Sequence, residues 1–264
     1  MKNHMKFLLF AATIVAVAFE INATPSTQIW IPSTDIQGFG VLHLGWDSYI
    51  KTQSNNGVYE GTVTNGGITA GVLPFKQVGL EIGIDYRDIS ANHQYPIYFN
   101  AKLGTPEDGF FKYMPAVAVG GFDFGTVKDN TTFDIVYGLI AKNIWKLGRF
   151  SAGYYTGNSK LLLNFSKINP DLSSPKDNSG VLLSWDRTIS EISDKWWLAI
   201  DYMGAKNSYG ACSFGISYAI TPDASFIFGY DIWNDYTDYK PTITVQIDMN
   251  LPAIQNWFKK EEKK

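Results

Sequence analysis

From residue 36 to residue 251 hydrophobic and polar positions alternate with a period of two, which is the signature of strands with one apolar face. Between Gln77 and Arg87, Val78, Leu80, Ile82, Ile84 and Tyr86 share one face, while Gly79, Glu81, Gly83, Asp85 and Arg87 share the other. The pattern returns as Ile97, Phe99, Ala101 and Leu103 against Asn100 and Lys102, and as Phe133, Ile135, Tyr137 and Leu139 against Asp134 and Lys142. Further along, Trp196, Leu198, Ile200 and Tyr202 oppose Lys195 and Asp201, and Cys212, Phe214, Ile216, Tyr218 and Ile220 oppose Ser213, Gly215 and Ser217. Phe226, Phe228, Tyr230 and Ile232 oppose Gly229 and Asp231, and Ile243, Val245, Ile247 and Met249 oppose Thr242, Thr244, Gln246 and Asp248. Less regular runs near 38–50, 60–75, 115–126, 148–157 and 179–188 fill the gaps. The Gly120-Gly121 pair marks a bulge, where face assignment breaks down.

These segments amount to about twelve strands of about ten residues, the length that crosses a bilayer when tilted, and an even number suits a closed antiparallel sheet. A soluble β-sandwich also alternates, but nothing obliges its strands to reach this length. The connections differ in character too. Pro74-Phe75-Lys76 and Thr221-Pro222-Asp223 are tight turns after even strands, whereas 51–59, 126–131, 157–178 and 234–240 are longer, polar and follow odd ones. Short periplasmic turns and long outer loops have that parity. The expectation is therefore an all-β fold, an antiparallel up-and-down transmembrane β-barrel over residues 36–251. Trp46, Tyr86, Tyr95, Trp145, Trp185, Trp196 and Trp233 fall near strand ends and read as girdles at the headgroup level.

The N-terminus carries an address. Lys2 and Lys6 precede an apolar run from Phe7 to Phe19, and Ala23 offers a small residue for cleavage, which reads as a signal peptide over 1–23. Residues 24–35 then form a periplasmic N-terminal segment, and 252–264, beginning at Pro252, a periplasmic tail. The expected location is the cell outer membrane, with its lipid as surroundings and the barrel assembly machinery as a partner during insertion.

Composition narrows the function classes. The 264 residues carry a formal net charge of −3, so a nucleic-acid partner is not expected. The one cysteine, Cys212, excludes a disulfide framework and a cysteine-based zinc site. His43 and His93 are the histidines beyond the signal peptide. His43 alternates with Leu42, Leu44 and Trp46 and so points into the lumen as a satisfied polar residue. Asp88 and His93 share an outer loop, but no second Asp-His element completes a protease, and two distant histidines make no transition-metal site. No catalytic residue, metal or cofactor is expected.

What remains is the polar face. Asp47, Glu81, Asp85, Arg87, Lys102, Asp123, Asp134, Lys142, Arg149, Asp201 and Asp231 are the candidate lumen-lining residues, because charges inside a barrel must be hydrated or paired. With odd strands running outward, Asp47, Asp85, Asp123, Asp134, Asp201 and Asp231 fall in the outer half, opposed mainly by Arg87. Lys102, Lys142, Arg149 and Lys195 nearly cancel against Glu81, Asp186 and Asp248 in the inner half. The segment Lys160-Leu161-Leu162-Leu163-Asn164-Phe165 is too apolar to float freely, so it either extends a hairpin or folds inward.

Leu73-Pro74-Phe75 to Glu81-Ile82-Gly83, Asn100-Ala101-Lys102-Leu103, Met114 to Gly121 and Ile140-Ala141-Lys142 resemble uncharacterised Gram-negative outer-membrane barrels, and distantly the barrel parts of exopolysaccharide-associated outer-membrane proteins. The resemblance implies location and fold and carries no catalytic motif. Together these readings lead to a passive porin-like channel for ions or small solutes with mild cation preference. A barrel plugged by its own side chains, serving a structural or docking role linked to polysaccharide export, is the alternative, and an outer-membrane hydrolase a distant third.

Overall fold

The computed structural model describes residues 26–54, 57, 61–89, 95–167 and 175–251. The expected signal peptide and its cleavage site, His93 and the tail 252–264 lie outside the described residues. Twelve strands follow one another: β1 Leu42–Lys51, β2 Val63–Gly71, β3 Gly79–Ile89, β4 Ile97–Thr105, β5 Ala116–Gly125, β6 Ile135–Asn143, β7 Arg149–Thr156, β8 Ser179–Thr188, β9 Trp196–Met203, β10 Ala211–Thr221, β11 Ala224–Trp233 and β12 Thr242–Leu251. Each pairs antiparallel with its chain neighbour, and β1 closes on β12 from Leu42 opposite Leu251 to Lys51 opposite Thr242. Closure leaves no sheet edge, so every strand finds hydrogen-bond partners on both sides without water.

On the outer wall Ile84, Phe99, Ile200, Phe214, Phe228 and Ile247 are all exposed, each on the face that the alternation marked apolar. A wall so rich in large apolar side chains matches a bilayer and would be a liability in water. At the rim where even strands end, Phe75, Phe110, Phe111 and Trp145 stand exposed, and Tyr95 and Tyr236 occupy the other rim. Trp233, expected in a girdle, is instead buried inside the barrel, its ring 5.1 Å from that of Trp30. The connections follow the expected parity at their extremes, 222–223 after β10 and 157–178 after β7, but 106–115 after β4 is longer than several on the opposite rim.

Strand β6 reverses its expected faces. Ile135, Tyr137, Leu139 and Ala141 point inward and are buried, whereas Val136 and Ile140 stand exposed outside. The reason lies in what faces β6 across the lumen: Ile31, Tyr155, Leu162, Leu182, Met203 and Tyr209 form one apolar cluster with it. Both faces of β6 therefore meet apolar surroundings, and alternation alone cannot choose between them. Leu162, completely buried in this cluster, shows that the apolar part of 157–178 folds inward.

The bulge falls one step beyond the glycine pair. Register between β4 and β5 shifts between Phe99 and Ala101, and Asp123 takes a φ of 57°. Because the extra residue shifts the phase of the alternation by one, Asp123 points inward and is buried. A barrel closed in this way resists detergent, so the folded protein should run faster on an unheated SDS gel than after boiling. Equal mobility of a refolded sample would contradict closure.

Candidate functional site

The largest departure from expectation is the segment 26–37, most of which belongs to the stretch 24–35 expected in the periplasm. It runs inside the barrel, against inward-facing side chains. Asp201 on β9 accepts backbone N–H bonds from Ile29 at 2.8 Å and Trp30 at 2.9 Å. Gln246 on β12 donates to the Ile29 carbonyl at 2.7 Å, and the Gln28 amide donates to Asp186 on β8 at 3.0 Å. Arg149 on β7 pairs with Asp35 at 2.7 Å and with Asp186 at 2.9 Å. Near the end of the segment, Gln37 N–H and the Ser26 hydroxyl donate to the two oxygens of Glu81 on β3, at 2.8 and 3.1 Å. The strap thus ties distant staves of the wall together. Ile29 adds an apolar contact with Trp197, Ala199 and Ile227, and Gly71 gives way to its far end, because any Cβ there would strike the carbonyls of Gln37 and Gly38.

The strap and the apolar cluster fill the side of the lumen bounded by β6 to β11. Beside β1 to β5 a polar cavity of about 160 Å³ remains. Its carboxylates are Asp47, Glu81, Asp85, Asp123 and Asp248, and its lysine and arginine are Lys102 and Arg87. Both cations are engaged. Arg87 grips Asp123 with two nitrogens at 2.5 and 3.0 Å and lies over the Tyr98 ring. Lys102 pairs with Glu81 at 3.1 Å and donates to the Ser26 carbonyl at 3.2 Å. The Tyr209 hydroxyl also donates to Asp123, and burial together with that carboxylate pushes its pKa well above the ordinary tyrosine range. Tyr209 therefore stays a donor at neutral pH.

Asp47, Asp85 and Asp248 have no lysine or arginine in ion-pair contact among the described residues. Asp85 accepts from the Asn100 amide at 2.5 Å. Asp248 meets His43 Nε2 at 3.2 Å, while His43 Nδ1 lies 2.9 Å from the Asn250 side-chain oxygen. Gly45 and Gly67 line the cavity at inward positions, and Gly45 leaves room there. At Gly67 a side chain would run into the Asp85 carboxylate.

Of the eleven candidate residues, Asp47, Glu81, Asp85, Arg87, Lys102 and Asp123 line this cavity. Arg149, Asp201 and Asp231 also face inward, but the first two hold the strap and Asp231 accepts from Thr242 at 2.7 Å in the wall. Asp134 and Lys142 do not belong to the lumen. Asp134 precedes β6 with a φ of 47°, and Lys142 reaches the connection 106–115, pairing with Glu107 at 2.9 Å and Asp108 at 3.6 Å. Both had been assigned through the face of β6 that the structure reverses. Gln28, Trp30 and Tyr209 are participants the alternation did not single out, and Gln246, placed on the polar face, was not among the candidates. The adjacent Ile29-Trp30-Ile31 in a segment assigned to water was the available signal.

A closed antiparallel barrel with an apolar outer wall and a charged interior defines the chain as an outer-membrane β-barrel. No family model and no curated protein matches it. Among solved structures it is similar to the NanC porin, with 12% identity, a TM-score of 0.46 and coverage of 78% of this chain and 97% of that one. It is also similar to an outer membrane channel from Pseudomonas putida F1, at 9% identity and a TM-score of 0.46, covering 87% of this chain and 100% of that one. A mutant Rh. blastica porin shares 9% identity at a TM-score of 0.39, over 80% of this chain and 98% of that one. At such identities the likeness is one of general fold.

Proposed function

We propose that this barrel is a narrow outer-membrane channel for ions and small solutes with a mild preference for cations. The observation that carries the reading is the polar cavity that remains along β1 to β5 while the strap and the apolar cluster fill the other side of the lumen. Inward Gly45 adds to it, because a Cβ there would meet only His43 and Asp248 at ordinary contact distance, so space that a packed lumen would use is left open. The sign of the preference follows from the excess of carboxylates over Lys102 and Arg87, because an acidic passage between low-dielectric walls concentrates cations. Asp201 and Asp231, counted toward that preference from the sequence, are bound to the strap and the wall, so Asp47 and Asp85 carry it.

Reversal potentials across a planar bilayer under a KCl gradient test this directly. The expected result is a small conductance with a potential on the cation-selective side, moving toward zero in the Asp47→Asn, Asp85→Asn double variant. An anion-selective barrel would overturn the preference. A refolded barrel without conductance would support the second reading, a plugged structural or docking barrel, which the engagement of Lys102, Arg87 and Arg149 in ion pairs favours.

A further inference from the structure

We propose that the cavity between the strap and β1 to β3 is a binding site for a compact organic cation carrying an ammonium or guanidinium group. The assignment builds on the acidic half-lumen of the proposed channel and names the ligand class held there. Asp47 on β1 and Asp85 on β3 flank Gly67 on β2, which stands opposite both Gly45 and Asp85 and lets the Asp85 carboxylate lie over its bare backbone. Among the described residues no lysine or arginine pairs with them: those of the cavity are bound to Glu81 and Asp123. Desolvated carboxylates of this kind hold their charge only with a partner.

A second observation points the same way. Asp248 lines the same cavity, is only 8% exposed, and its Oδ2 has no hydrogen-bond partner although Oδ1 faces His43. The Asn65 side-chain oxygen, also at the cavity, is likewise without one. Unmet acceptors gathered at a cavity match the several N–H groups of a guanidinium or ammonium head. The opposite wall is aromatic: Trp30 from the strap stands edge-on to Tyr49, with ring centroids 5.2 Å apart, and both border the cavity. Aromatic faces attract weakly hydrated organic cations.

Size and spacing narrow the class. A cavity of about 150 Å³ holds a benzene-sized molecule, so the space of about 160 Å³ admits a ligand of similar bulk. A bare metal ion fits poorly, because among the described residues no three His, Cys, Asp or Glu side chains converge at metal-binding spacing. The strap supplies Trp30 and the Ser26 edge, so the site exists only while residues 26–37 are seated.

The test is calorimetric titration of methylguanidinium chloride into the full refolded chain in detergent, with methylurea as a neutral probe of the same shape and KCl as competitor. Saturable binding is expected for methylguanidinium and none for methylurea, with at least a tenfold loss of affinity in Asp47→Asn and in Asp85→Asn. Gly67→Ala keeps every charge but its Cβ would displace the Asp85 carboxylate, and it should weaken binding to a similar degree. Heat-shifted gel mobility shows that each variant is closed. Equal heats for methylurea, unchanged affinity in the folded variants, or displacement by equimolar KCl would each overturn the assignment. Binding without conductance would remove the channel and keep the site, and conductance without binding would do the reverse.

Discussion

Deleting residues 28–33 from the refolded barrel is expected to raise its single-channel conductance several-fold without inverting its ion preference. These residues occupy lumen space and hold it through polar contacts at the strands: two N–H bonds to Asp201, one carbonyl bond from Gln246 and the Gln28–Asp186 contact. Their removal takes Ile29, Trp30 and Ile31 out of the interior, opening a path beside β8 to β12 in addition to the cavity along β1 to β5. It also leaves Asp201 without its strap partners, while Asp186 keeps Arg149, so the widened passage carries one more unpaired carboxylate than before. Asp201→Ala is the gentler form of the experiment. It leaves two buried backbone N–H groups unpaired, and each such group costs about 1–3 kcal/mol, so the strap should loosen and the current should flicker between levels. The pairing of β1 with β12 does not pass through the strap, so both variants should keep the heat-shifted gel mobility. Unchanged conductance in a closed deletion variant would mean that 28–33 do not border the conducting path.

The strap explains where sequence reading succeeds and where it stops. Strands such as β3, β10, β11 and β12 were legible because one face meets lipid and the other meets polar groups, so the contrast between Phe226, Phe228, Tyr230 on one side and Gly229, Asp231 on the other is unambiguous. β6 was not, because its inner face meets Leu162, Leu182 and Met203, and the larger apolar set was assigned to lipid. Asp134 and Lys142 then followed the wrong face. The same filled side of the lumen hid the segment 26–37: a strap of mixed polar and apolar residues has no period, and its place is set by partners on several strands far along the chain. Asp123 was read as a lumen residue, and it is one because the extra residue at the bulge shifts the alternation by one, whereas the phase of buried Ala116 and Ala118 alone would have turned it outward. What alternation cannot give is pairing. That Arg87 belongs to Asp123 and Arg149 to Asp35 and Asp186, while Asp47 and Asp85 keep no fixed cation, depends on how the staves come together around the barrel.

Arginine placed at Ile216 should cost the assembled barrel about 2–4 kcal/mol, the range for a lipid-facing cation at the bilayer midplane, whereas arginine at Asn65 should be tolerated. Ile216 sits at the centre of β10, on the same outward face as exposed Phe214 and Ile220, with buried Ser217 on the inner face beside it. Its new charge would have only acyl chains to meet, and mid-strand position leaves little scope to reach the headgroups. Asn65 stands opposite Asp47 and two residues from Gly67, where an added guanidinium finds two carboxylates with no lysine or arginine paired to them among the described residues. The pair of substitutions thus introduces the same side chain on the two sides of one wall. Urea titrations of folding into phospholipid vesicles read the difference as a shift in midpoint. Equal losses at the two positions would show that the outer wall does not face lipid. A further outcome follows at Asn65: filling the acidic gap with a fixed cation should abolish the cation preference of the conductance, because Asp47 and Asp85 would then be neutralised in place rather than by ions in transit.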